Sequence, residues 1–165
     1  MGFVCSVCGE FHAERLLDIR LALPEPIHAL DEGERARRAW LAEDFAVLDE
    51  QHFYLRGLLE IPVLELDSRF GYGVWLEVEQ EDFQYLLEHW GDPAQDSFDP
   101  VAATLANELA PYDGTEGLHV AIQPVSAESL PRVRLLADEH PLCLDQRNGI
   151  SAARSEELAA TVLHH

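Results

Sequence analysis

The chain contains no lysine. Its 11 basic residues are all arginine and stand against 31 acidic ones, for a formal net charge of −20 over 165 residues. Without an amine side chain there is no Walker-type phosphate loop, no Schiff-base chemistry and no lysine general base. The shortage of positive charge also sets the surface against phosphate backbones, whose binding rests on neutralisation by lysine and arginine, so nucleic acid is not an expected partner. The basic stretch at Arg35, Arg37 and Arg38 reads as a solvated helix face.

Cysteine is also scarce. The three present form an odd set, and two of them stand in a C-x-x-C, which does not fit a secreted disulfide framework. No run approaches the roughly 20 apolar residues of a membrane-spanning helix, and the first residues lack the charged start and apolar core of a signal peptide. The cytoplasm is therefore the expected compartment, with no membrane partner. G-x-S-x-G, H-E-x-x-H and G-x-G-x-x-G are missing as well, and "GYG" at 71–73 reads as relief of a strand bend. No catalytic residue is assigned, and the reading leans away from an enzyme.

What is present is a foldable chain. Apolar residues make up 47% and charged residues 25%, ordinary values for a globular protein, and 165 residues suit one domain. A domain of this size buries roughly 70% of the surface that its unfolded chain exposes. Residues 1–23 read as a knuckle and linker, and residues 24–165 as the body. "LALPEPIHAL" looks extended because each proline restrains itself and the residue before it. "DEGERARRAWLAED" predicts a helix over 31–44.

From Phe45 the propensity changes. "FAVLD", "HFYLRGLLEIPVLEL" and "YGVWLEVE" are rich in branched and aromatic residues and predict three antiparallel strands. "EDFQYLLEHWG" predicts a helix with Phe83, Leu86, Leu87 and Trp90 on its stripe. Asp99 and Pro100 make a cap and first turn for a helix over "VAATLANELA", which Pro111 would stop. "GLHVAIQPV" and "RVRLLA" return to strand character, and "NG" leads into a Ser-capped helix bearing Leu158 and Val162. The fold class expected from this order is α+β, a mainly antiparallel sheet with flanking helices and an N-terminal zinc-knuckle-like segment.

That segment is "CSVCGEFH". Cys5 and Cys8 have the spacing with which one tight turn presents two sulfurs to a single ion, and Gly9 suits a backbone curling past it. A structural zinc needs four thiolate or imidazole ligands. His140 and Cys143, three residues apart on a helical turn beginning near Pro141, are the leading distant candidates, with His12 the rival to Cys143. His28, His52 and His119 stand behind them. A redox reading of the C-x-x-C is less favoured, because no helix evidently follows it.

Elsewhere, alternation puts His52, Tyr54, Arg56, Leu58 and Glu60 on one strand face, read as half-solvated with cross-strand ion pairs. Glu77 and Glu79 share a face of the next strand and are candidate partners for Arg56. Trp75 and Trp90 are assigned to packing.

Four stretches, "CSVCGEFH", "EQHFYLRGLLEIPV", "YGVWLEVEQEDFQYLLEHW" and "DEHPLCLDQRNGIS", together resemble the bacterial domain of unknown function 2199 family over most of the chain. The resemblance implies a small cytosolic bacterial protein and adds no catalytic residue. It also implies alanine in the family where this chain has Cys143, which favours His12 and His140 as ligands. The leading expectation is a binding or accessory protein with a structural zinc and an unidentified protein partner. The alternatives are a metal-dependent hydrolase with an open zinc beside Cys5, Cys8 and a histidine, and an acidic inhibitor or immunity-type protein whose negative face covers a basic target.

Overall fold

The structure is a computed structural model, and it describes residues 3–4, 11–12, 18–66, 68–127, 129–136 and 139–163. Its centre is a long hairpin. Strand β6 (His52–Val63) pairs antiparallel with β7 (Ser68–Val78) along its whole length, from Phe53 opposite Val78 to Val63 opposite Ser68. Alternation explains the pairing: Leu55, Leu59, Ile61 and Val63 share one face with Phe70, Tyr72, Val74 and Leu76, and all eight are buried.

That face becomes the inside of a barrel. Strand β8 (Val101–Leu105) pairs with the end of β7, β9 (His119–Gln123) with β8, and β10 (Arg132–Leu135) with β9, all antiparallel. Strand β10 then meets β6 in parallel, Arg132 opposite Leu58, and the Leu58 N–H donates to the Pro131 carbonyl at 2.8 Å. Five strands, β6 to β10, therefore form a closed ring. Closure requires a bare backbone at Gly57. A Cβ there would lie 2.7 Å from both Leu76 Cδ1 and Val133 Cγ2, so a side chain at this position would push β7 and β10 away.

Further strands extend the wall. Strand β3 (Asp18–Arg20) runs parallel to β7, while β5 (Phe45–Leu48) pairs with β6 and β4 (Ala39–Leu41) with β5. The short β1 (Phe3–Val4) and β2 (Phe11–His12) pair antiparallel with each other.

The helices are short: α1 (Glu25–His28), α2 (Glu32–Arg38), α3 (Gln80–Glu88), α4 (Pro141–Asn148) and α5 (Ala152–Leu163). Asp31 caps α2 by accepting the Glu34 N–H at 2.8 Å. Phe83 and Leu86 seat α3 on the core, and Trp90 follows with its ring 4.6 Å from Phe45. Gly149 ends α4 at φ 86°, a conformation that glycine adopts at no steric cost.

The expectation of a mainly antiparallel sheet with flanking helices is thus corrected to a closed five-strand barrel with added strands and a few short helices. Three local differences account for it. "VAATLANELA" supplies strand β8 instead of a helix, because Ala103 and Leu105 face the barrel interior and the pairings to β7 and β9 outweigh alanine's helix preference. The predicted helix over 31–44 stops at Arg38 and becomes strand β4. The extended linker contains α1, whose Ile27 is fully buried. Leu87, placed on the α3 stripe from spacing, is instead 43% exposed.

Candidate functional site

The outer wall of the barrel divides into a covered part and an open part. The covered part lies beneath residues 18–30. Ile27, Ala46, Leu48, Tyr54, Trp75 and Ala106 form a second core there. Asn107 fastens the layer, its Oδ1 accepting the Trp75 N–H at 2.7 Å and its Nδ2 donating to the Leu23 carbonyl at 2.9 Å. Arg56 is only 5% exposed. It donates to the Leu21 carbonyl at 2.8 Å, lies 3.6 Å from the Asp44 carboxylate and sits 4.5 Å from the centre of the Trp75 ring.

Arg56 therefore does not take part in the half-solvated ion-pair row expected for its strand face, and its carboxylate partner is Asp44 instead of Glu77 or Glu79. Trp75, 1% exposed, is a packing residue, as the sequence indicates.

The open part is a groove of about 750 Å³ where β6 begins, β7 runs into α3, and β8 pairs with β9. Pairing register builds one side: Glu77 stands opposite Thr104, and Thr104 opposite His119. Glu50 follows β5, and Glu79 and Asp82 come from the start of α3. His52 Nδ1 lies 2.9 Å from Glu77 Oε2, both groups being partly exposed. Among the described residues no arginine lines the groove, and no cation pairs with the carboxylates of Glu50, Glu79 or Asp82.

The negative field is felt by neighbouring groups. Burial pushes the Tyr54 hydroxyl up, and the charges of Glu77, Glu116 and Asp49 push it further. Glu116 is raised by burial first and then by Glu25, Glu108 and Glu77. The lining offers four carboxylates, one hydroxyl, Thr104, and one imidazole, His119.

Of the expected metal ligands, the side chains of His140 and Cys143 belong to the described residues. Cys5 and Cys8 lie outside the described residues, and so does the side chain of His12, although its backbone belongs to β2. His140 caps α4, with Nδ1 accepting the Leu142 N–H at 3.1 Å and Nε2 donating to the Asp113 carbonyl at 2.7 Å. To ligate zinc it would have to give up one of these bonds. Cys143 is 3% exposed on the core side of α4. His28 is exposed at the end of α1, His52 is held by Glu77, and His119 lines the groove. Among the described residues no three His, Cys, Asp or Glu side chains are placed to hold a metal ion.

The groove itself was only half visible from the sequence. His52, Glu77 and Glu79 stand out by alternation, but Thr104 and His119 arrive through pairings distant in sequence. No described helix is long and apolar enough to cross a membrane.

Residues 4–150 match the family described as uncharacterised proteins conserved in bacteria (DUF2199), and the chain belongs to that family. No curated protein and no solved structure matches the chain.

Proposed function

We propose that this DUF2199 protein is a binding protein that receives a basic segment of a partner protein in the open groove. One observation carries the reading: Glu50, Glu77, Glu79 and Asp82 line a single groove with no arginine among the described residues, while Arg20, Arg37, Arg38, Arg132 and Arg154 pair elsewhere with Asp44, Glu34, Asp49, Glu60 and Glu157. Carboxylates gathered in one groove, of which Glu50, Glu79 and Asp82 have no cationic partner among the described residues, attract a cationic segment and steer its approach. The test is titration of the full chain with a basic peptide at rising ionic strength. Affinity is expected to fall steeply with salt and to drop further in the Glu77→Gln/Glu79→Gln variant. Binding indifferent to both changes would sink the proposal.

A structural zinc at the amino terminus forms a second part of the reading, supported by one pairing. Val4 stands opposite Phe11, so β1 and β2 bring together the two ends of the segment that contains Cys5 and Cys8. The metal would tie the hairpin ends, with His12 the next candidate ligand along β2. Metal analysis of untagged protein is expected to find near-stoichiometric zinc, lost in Cys5→Ser. Less than about a tenth of an equivalent in folded protein would remove the metal from the account.

A further inference from the structure

A second cavity, of about 380 Å³, continues the groove past the first turn of α3. The two share Asp82 and Ala102 and so adjoin. Its lining differs in kind from that of the first. Asp82 and Tyr85 stand one helical turn apart on α3, and Asp99 faces them from the loop before β8. Tyr85 is 42% exposed.

The tyrosine is held in place. Its ring centre lies 4.6 Å from that of His89 and 5.4 Å from that of Phe98, and those two rings are themselves 5.4 Å apart. The loop carrying Phe98 is fixed from both sides. Gln95, itself buried, donates through Nε2 to the His89 carbonyl at 3.0 Å and to the Trp90 carbonyl, and Gln123 Nε2 donates to the Phe98 carbonyl at 3.0 Å. Among the described residues neither Asp82 nor Asp99 has a cationic partner. A braced, half-exposed aromatic ring that lines one cavity with two carboxylates lacking a cationic partner among the described residues suits a planar cation. An aromatic ring offers such a cation its quadrupole, and carboxylates accept its N–H groups.

Resting on the groove reading, we propose that Tyr85, Asp82 and Asp99 form a subsite for an arginine guanidinium of the basic segment. Arginine is favoured over lysine because its planar fork both stacks on the ring and donates to two carboxylates at once, whereas an ammonium is a compact, strongly hydrated point charge. The fixed loop means that little ordering accompanies binding. The main groove supplies chiefly charge, its phenyl ring, Phe53, being only partly exposed, and the subsite supplies the discrimination between the two cations.

The experiment titrates the full chain with amidated hexa-arginine and hexa-lysine at low ionic strength, following binding by calorimetry. The wild type is expected to bind the arginine peptide about three- to ten-fold more tightly. Tyr85→Leu should bring the arginine peptide down to the affinity of the lysine peptide, and Tyr85→Phe, which keeps the ring, should preserve the preference. Asp82→Asn/Asp99→Asn should weaken both peptides and the arginine peptide more. Equal affinities in the wild type, or a preference that survives Tyr85→Leu, would overturn the subsite; if Glu77→Gln/Glu79→Gln still weakened both peptides, the groove reading would stand. Failure of both peptides to bind the wild type would overturn the groove reading and the subsite with it.

Discussion

Arg56 and Glu77 lie on the same outer wall of one hairpin, yet their surroundings are opposite. Arg56 is covered by residues 18–30 and has a carboxylate, a carbonyl and an aromatic ring as partners. Glu77, diagonally across the wall, meets one histidine and a groove of other carboxylates. A buried charge left without partners costs several kcal/mol, so the covered region had to be completed by the chain itself. The open region faces water, where like charges are screened, and can remain incomplete. Self-sufficiency thus marks the structural half of the wall, and uncompensated charge marks the half proposed to meet a partner.

This contrast can be broken at its covered side first. Arg56→Ala empties a site that is only 5% exposed, removing the donor to the Leu21 carbonyl and the stack on Trp75 while Arg20 still pairs with Asp44; unfolding free energy is expected to fall by about 3 kcal/mol, read from urea denaturation. Gly57→Ala, at the next residue, forces a methyl group against Leu76 and Val133 and should cost about 2 kcal/mol by the same measurement. A neutral result there would mean that the ring is looser than drawn.

The open side should respond in the other sense. Glu77→Gln/Glu79→Gln is expected to leave stability within about 0.5 kcal/mol of the wild type, because neither carboxylate holds the fold together. A large loss would show that the groove is structural after all.

The smallest effect concerns pH. Burial and neighbouring carboxylates raise Glu116, so its protonated form is favoured in the folded state. Its contribution is complete below the pKa of the unfolded chain and is lost as pH rises through the folded value. Glu116→Gln should therefore raise the melting midpoint slightly at neutral pH and lose that advantage in acid, as scanning calorimetry at several pH values would show.

Much of the local structure was legible in the sequence because its signals are local. The alternation of "HFYLRGLLEIPV", the helical stripe through Phe83 and Leu86, and the Ser151 cap, which accepts the Arg154 N–H at 3.1 Å, each depend on residues close together in the chain. Barrel closure was not legible. It rests on a parallel pairing of Arg132 with Leu58 and on an alanine-rich strand whose composition suits a helix. The site was legible to the same extent: Glu77, Glu79 and His52 stand out by period, but which carboxylates lack a cation depends on where distant arginines lie. Arg56 shows this most plainly, since its partner Asp44 belongs to the turn before β5.

The parallel seam between β6 and β10 also bears on how the protein comes to be made. During synthesis β6 and β7 emerge early and can pair at once, whereas the strand that seals them follows some 70 residues later. Until Arg132 leaves the ribosome, β6 presents part of an unpaired edge, and the apolar residues destined for the interior have no wall opposite them. Gly57 lies at the point that must stay bare through this interval, ready to admit the last strand. The nascent chain is therefore most vulnerable to wrong pairing in the span between the hairpin and its seal, and the charge of −20 is well suited to keeping neighbouring copies apart while it waits.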